Sequence, residues 1–161
     1  EETLEAFERR RREGKIRHWG VSNFDVDDME ELMPLTSGAG MPVAANQVLF
    51  NLMRRGIEYD LLPWCRTHGT PVMAYSPLEQ GLLAGNKSLR AIAERLAATP
   101  AQVALAWILR QPGVVAIPKA GHIEHIRENR GALGVELAPD DLAELADAFP
   151  SPARKIPLEM I

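Results

Sequence analysis

The sequence has 161 residues, 46% of them hydrophobic and 25% charged, with a net charge of −4. That is the composition of an ordinary globular domain with enough chain for a sizeable core. An acidic balance excludes a whole-chain field that would draw nucleic acid or an anionic membrane, and no stretch approaches the roughly 18 apolar residues of a membrane span.

In chain order, one pattern occurs four times: a short apolar strand, a polar loop, an amphipathic helix. A first helix at about 2–13 buries Leu4 and Phe7, ends at Gly14, a C-cap residue, and carries the basic run Arg9–Arg12 on its solvated end. A strand near Ile16–Gly20 leads through Val21-Ser22-Asn23-Phe24 to Asp25, a good N-cap. The helix behind it has Val26, Met29, Leu32 and Met33 on one face. The second strand is expected at 42–48 and its helix at about 57–68, with the stripe Ile57, Leu61 and Cys65. The third strand, at 71–75, is followed by a long loop to about Lys87 and two helices. Leu89, Ile92, Ala93 and Leu96 form the face of the first. Thr99-Pro100-Ala101-Gln102 opens the second with a cap, a proline at the first helical position and a glutamine three residues after the cap. The fourth strand is Gly113–Ile117, followed by helices at about 122–131 and 140–149, the latter with Leu142, Leu145, Ala146 and Phe149 inward. The tail from Pro150 to Ile161 is Pro-rich and expected to be extended.

Such alternation implies right-handed crossovers and a parallel sheet in a single α/β domain. An open doubly wound sheet and part of a closed barrel both satisfy it. No Gly-x-Gly-x-x-Gly follows any strand and there is no Walker loop, which argues against a Rossmann site. Polar residues gather at one end of the strands: Ser22 and Asn23 after the first, Asn46 and Gln47 closing the second, Tyr75 and Ser76 closing the third, Lys119 after the fourth. Their repetition describes one face of a barrel, where enzymes of that architecture build their sites. The lone Cys65 excludes an internal disulfide, implies no oxidising compartment and reads as packing on a helix stripe. His122, His125 and Glu128 have a spacing that zinc could use, but a solvated helix face is the favoured reading and no metal is expected. No signal peptide opens the chain, and a cytoplasmic location is expected. Glu1-Glu2-Thr3-Leu4 reads as the first turn of a helix already under way, so the expectation is a partial chain.

Gly14-Lys15-Ile16-Arg17 leading to Gly20-Val21-Ser22-Asn23-Phe24, then Ala45-Asn46-Gln47-Val48, then Ala74-Tyr75-Ser76-Pro77-Leu78 with Gly81-Leu82-Leu83, then Ile117-Pro118-Lys119-Ala120 with Ile126-Arg127-Glu128-Asn129, resemble strands five to eight of the aldo-keto reductases. The resemblance covers essentially the whole chain and is nearest to bacterial reductases of small aldehydes and keto-aldehydes. It implies the C-terminal half of a (β/α)₈ TIM barrel and an oxidoreductase that uses NADP(H), with NAD(H) a further candidate, to reduce small carbonyl compounds. By the same resemblance, Ser22, Asn23 and Gln47 hold the nicotinamide carboxamide, which needs both donors and acceptors. Tyr75 stacks on the ring; Ser76, Leu78 and Gln80 line the pyrophosphate; Lys119 meets the 2′-phosphate; Glu128 and Asn129 contact the adenine. Two positions depart from the family pattern. Ala120 replaces a hydroxyl residue, and His125 stands where NADP-selective members have an arginine, which weakens the case for NADPH over NADH.

The resemblance places the catalytic Asp, Tyr, Lys and His, with Tyr as general acid, on the first four strands, so no catalytic residue is assigned here. His18-Trp19 imitates the catalytic histidine's context but lies inside the fifth-strand motif. Tyr59 is expected at a helix start, exposed. A non-catalytic nucleotide-binding half-barrel is the alternative. The expected partner is either the other half of the barrel or a second copy, paired through the open edges at 16–20 and 113–117.

Overall fold

The computed structural model describes residues 2–37 and 43–161. Glu1, in the expected first turn, and Pro42, the expected start of the second strand, lie outside the described residues.

Four parallel strands form one sheet in the order β1-β2-β3-β4: Val21–Ser22, Asn46–Leu49, Val72–Tyr75 and Val114–Ala116. Parallel neighbours need a crossover, and the helices supply it. α1 (Glu2–Arg12) precedes β1, α2 (Val26–Ser37) joins β1 to β2, and α3 (Leu61–Thr67) joins β2 to β3. α4 (Lys87–Arg95) and α5 (Pro100–Leu109) lie between β3 and β4, and α6 (Ile123–Gly131) and α7 (Pro139–Ala148) follow. The tail after Phe149 has no regular structure.

Caps set several of these boundaries. Gly14 ends α1 at φ +70°. Asp25 and Asp28 cap α2 reciprocally, each backbone N–H donating to the other's carboxylate at 3.0 and 3.1 Å. Thr99 and Gln102 do the same for α5, at 3.2 and 3.0 Å. The helix expected at 57–68 is divided: Asp60 accepts from Leu61 N at 2.7 Å and so starts α3 afresh after a 3₁₀ turn at Gly56–Glu58.

The first strand lies later than the expected 16–20. Hydrogen bonding to the next segment begins with Ala44 N donating to Trp19 O (2.9 Å) and continues through Val21 N to Ala45 O (3.0 Å) and Asn23 N to Gln47 O (2.8 Å). Gly20 permits this approach, since a Cβ there would lie 2.5 Å from Ala45 O. Asn46 and Gln47 accordingly open β2 rather than close it.

The register divides the strand residues between two faces. Asn46, Val48, Val72 and Ala74 are wholly buried beneath the helices, in a core with Met29, Phe50, Leu61, Cys65, Leu89, Ile92, Val103, Trp107, Ile108 and Leu145. Leu4 and Phe7, expected in the core, pack on its margin. Ala146, expected inward on α7, is exposed; Ala148 packs on the core instead. The opposite row, Ser22, Gln47, Met73 and Val115, is half-buried to exposed.

Candidate functional site

The expected nicotinamide residues lie together on the uncovered face. Ser22 sits opposite Gln47 in the ladder, and Gln47 opposite Met73. Ser22 Oγ donates to Gln47 O at 3.1 Å, and Gln47 Nε2 to Met73 Sδ at 3.2 Å. Asn23 leaves the strand at φ +57°, and among the described residues none donates to its buried side-chain oxygen. A buried acceptor left unmet is costly, and a carboxamide N–H is the kind of donor that would satisfy it. A groove of about 380 Å³ runs along this face, lined by Ser22, Gln47, Met73, Gly20 and His18 among others. Asn46, on the other face, is structural: its Nδ2 donates to Phe24 O at 2.8 Å and ties down the loop that carries Asn23.

Tyr75 ends β3 half-buried, and the chain then turns sharply. Ser76, Glu79 and Gln80 all take positive φ (47°, 45° and 53°), and Gly81 follows at 90°. Such backbone concentrates at functional sites. Ser76, Pro77, Leu78, Gln80 and Gly81 line a cavity of about 390 Å³ with Pro118 and Lys119 from beyond β4. Lys119 is exposed and, among the described residues, has no ion-pair partner. Three of the expected pyrophosphate residues and the expected 2′-phosphate lysine thus share one concavity. Ser76, Gln80 and the Lys119 ammonium are the groups in it that suit an anion.

The adenine end is partly engaged within the chain. Glu128 accepts from Thr99 Oγ1 at 2.5 Å, and its other oxygen lies 3.3 Å from His125 Nδ1. Gln102 Nε2 donates to Glu128 O at 3.1 Å, which ties α6 to the cap of α5. Asn129 and Ala120 are half-buried and His125 is exposed. His122 and His125 meet edge to face, ring centroids 5.9 Å apart. Among the described residues no three His, Cys, Asp or Glu side chains are gathered as metal ligands.

The sequence reading missed a buried polar brace behind the Ser76–Gly81 turn. Glu79 is 4% exposed; its carboxylate accepts from Asn51 Nδ2 at 2.6 Å and Arg54 Nε at 2.9 Å. Arg54 also pairs with Glu159 in the tail at 2.8 Å. The hydrogen bonds it donates to Glu159 and then to Glu79 raise the Arg54 guanidinium above its ordinary pKa. The only signal in the sequence was an acidic residue inside a turn, which by itself reads as solvated.

Elsewhere, Tyr59 is half exposed as expected, though it lies between the 3₁₀ turn and α3 rather than at a helix start, and His18 is exposed. Cys65 is 1% exposed, and burial pushes its thiol up to about 11, too high for a nucleophile. Among the described residues no helix is long and apolar enough to cross a membrane.

Comparison with known proteins identifies the family. The model of the Aldo/keto reductase family matches residues 1–149. The chain is 49% identical over 167 residues to the methylglyoxal reductase YeaE of Escherichia coli K12, covering all of this chain and 58% of that protein. It is 39% identical over 144 residues to a glyoxal reductase of Bacillus subtilis, covering 89% of this chain and 50% of that one. An aldo-keto reductase from Klebsiella pneumoniae, solved in complex with NADPH, superposes with a TM-score of 0.93 at 48% identity, over 99% of this chain and 57% of its own. The chain therefore spans little more than half the length of these relatives. It belongs to the aldo-keto reductase family.

Proposed function

We propose that this chain is the cofactor-binding half, strands five to eight, of an NADP(H)-dependent aldo-keto reductase barrel that reduces small aldehydes and keto-aldehydes in the cytoplasm. The observation that carries the reading is convergence. Ser22, Gln47 and Met73 of three strands line one groove on the uncovered sheet face, the segments after β3 and β4 line a second cavity, and among the described residues Asn23 carries an unmet buried acceptor. The NADPH-bound relative from Klebsiella pneumoniae supports the choice of cofactor, and the methylglyoxal and glyoxal reductases support the substrate class.

In this reading Ser22, Asn23 and Gln47 orient the carboxamide, and Tyr75 packs against the ring, fixing which of its faces meets the substrate. Ser76, Leu78 and Gln80 hold the pyrophosphate, Lys119 the 2′-phosphate, and Glu128 and Asn129 the adenine. A reduced nicotinamide, when bound, supplies hydride. The general acid comes from the other half of the barrel, so the 161-residue chain binds cofactor but reduces no carbonyl. Titration of the chain with NADPH and NADH tests this. Lys119→Met is expected to weaken NADPH about tenfold or more, the value of one charge-assisted contact, and to leave NADH unchanged. Equal losses for both would overturn the assignment. Steady NADPH oxidation with a reactive aldehyde by the purified chain, abolished by Tyr75→Phe, would overturn the inactivity.

A second reading, a non-catalytic half-barrel that assembles with a second copy, is favoured by the apolar character of the uncovered face near β4, where Val115 is 51% and Ile117 37% exposed. The coding sequence upstream of Glu1 discriminates. Four further strand–helix units in frame support the first reading; a start codon there supports the second.

A further inference from the structure

Glu79 is the one carboxylate in the turn proposed to hold a diphosphate, and it does not line the cavity. A negative charge this close to the anion would repel it unless neutralised. Arg54 does so, and Asn51 fixes the geometry. Asn51 Nδ2 donates to Ser76 O at 2.9 Å as well as to Glu79, while Asn51 Oδ1 accepts from Met53 N and Arg54 N at 2.8 and 3.0 Å. Backbone at positive φ on three non-glycine residues persists only where its surroundings over-determine it, and these contacts are the surroundings.

The brace continues into the C-terminal tail. Arg54 NH1 donates to Glu159 Oε1 at 2.8 Å. The tail is seated beside it by Lys155 on Asp60 at 3.1 Å and by Ile156 over Gly56, where a Cβ would come within 2.9 Å of Ile156 Cδ1. Arg54 is thus shared between the turn and the tail.

We propose that Asn51, Arg54 and Glu79 are positioning residues for the phosphate-binding turn, and that Glu159 latches the tail onto them so that the tail sets how tightly the phosphate end of the cofactor is held. This rests on the cofactor reading above. Releasing the latch costs Arg54 one of its two carboxylates; neutralising Glu79 removes the contact that holds the turn itself.

The test uses Glu79→Gln and Glu159→Gln in the full chain, with two measurements. Amide hydrogen exchange over residues 76–81, without ligand, is expected to rise about tenfold in Glu79→Gln, which loses charge-assisted bonds. In Glu159→Gln, which loses a partly exposed pair, it is expected to rise about threefold. Affinity for ADP-ribose 2′-phosphate is expected to fall by similar factors while affinity for nicotinamide mononucleotide stays constant, a split that general destabilisation would not produce. Unchanged exchange in both variants overturns the brace. Should Glu79→Gln fail to fold, Glu159→Gln alone decides, unchanged exchange and affinity counting against the latch. A wild-type chain that takes up neither NADPH nor ADP-ribose 2′-phosphate overturns the cofactor reading, and the latch's purpose with it, even where exchange shifts.

Discussion

Alternate residues of the same strands build two unlike surfaces. On the helix side Asn46, Val48, Val72 and Ala74 are fully buried, and even the one polar member has its hydrogen bonds met by Phe24. On the other side Gln47, Met73 and Tyr75 are half-buried and Val115 and Ile117 are exposed. The uncovered side sets the polar Ser22 and Gln47 and the apolar Met73 and Val115 in one row, as expected of a surface shared between a ligand and more protein. Burial is thus concentrated on one face of the sheet and, in the proposed function, ligand contact on the other, and substitutions should reveal the division.

The largest effect belongs to the helix side. Phe50, wholly buried, meets Trp107 with ring centroids 5.4 Å apart. Phe50→Ala is expected to cost ~3–5 kcal/mol in denaturant unfolding; a loss below about 1 kcal/mol would mean this core is far looser than its packing. Next comes the α5 cap. Thr99→Ala removes a reciprocal cap and the contact to Glu128, and should cost about 1 kcal/mol, read by thermal melting. Asp141 is smaller again. Its hydrogen bond from Arg95, at 2.7 Å, holds its carboxyl below the ordinary 3.8. A depressed folded-state value gives stability that is full above the ordinary pKa and is lost as pH falls through the depressed one. Urea midpoints of wild type and Asp141→Asn should therefore differ near neutrality and converge below about pH 3.8. A constant gap at all pH values would remove the ionic cause. The smallest stability change is expected on the uncovered face: Val115→Thr should stay within about 0.5 kcal/mol. The same change should reduce self-association in sedimentation at micromolar concentration if that face seeks an apolar partner. A compact monomer in both forms would break the comparison.

Local rules made much of this fold legible. Gly14, Asp25, Thr99 and the pair Leu61–Cys65 each act through neighbours within a few residues, and each lies where pattern places it; Ile57, expected on the same helix, is buried from the 3₁₀ turn before it. β1 was less legible because strand position depends on partners: Ile16–Gly20 has strand-like composition, but the pairing begins at Trp19. Ala146 failed for a related reason, since alanine fits either side of a helix and the turn of α7 decides. In the site, Ser76, Leu78, Gln80 and Lys119 were legible through motif and converge on one cavity. Glu79 was not, because its partners Asn51, Arg54 and Glu159 lie on three other segments and no local spacing announces them.

The single thiol at Cys65 gives this chain a built-in clock. With its pKa near 11, only about 10⁻⁴ of it is thiolate at pH 7, and it is 1% exposed, in the wall of a cavity of about 320 Å³ shared with Leu62, Val72 and Pro112. Modification is slow while α3 stays seated, so the labelling rate in untouched protein follows how often the helix side loosens around that cavity. A partner that closes the uncovered face never touches Cys65, yet if the two faces are coupled it will slow that clock.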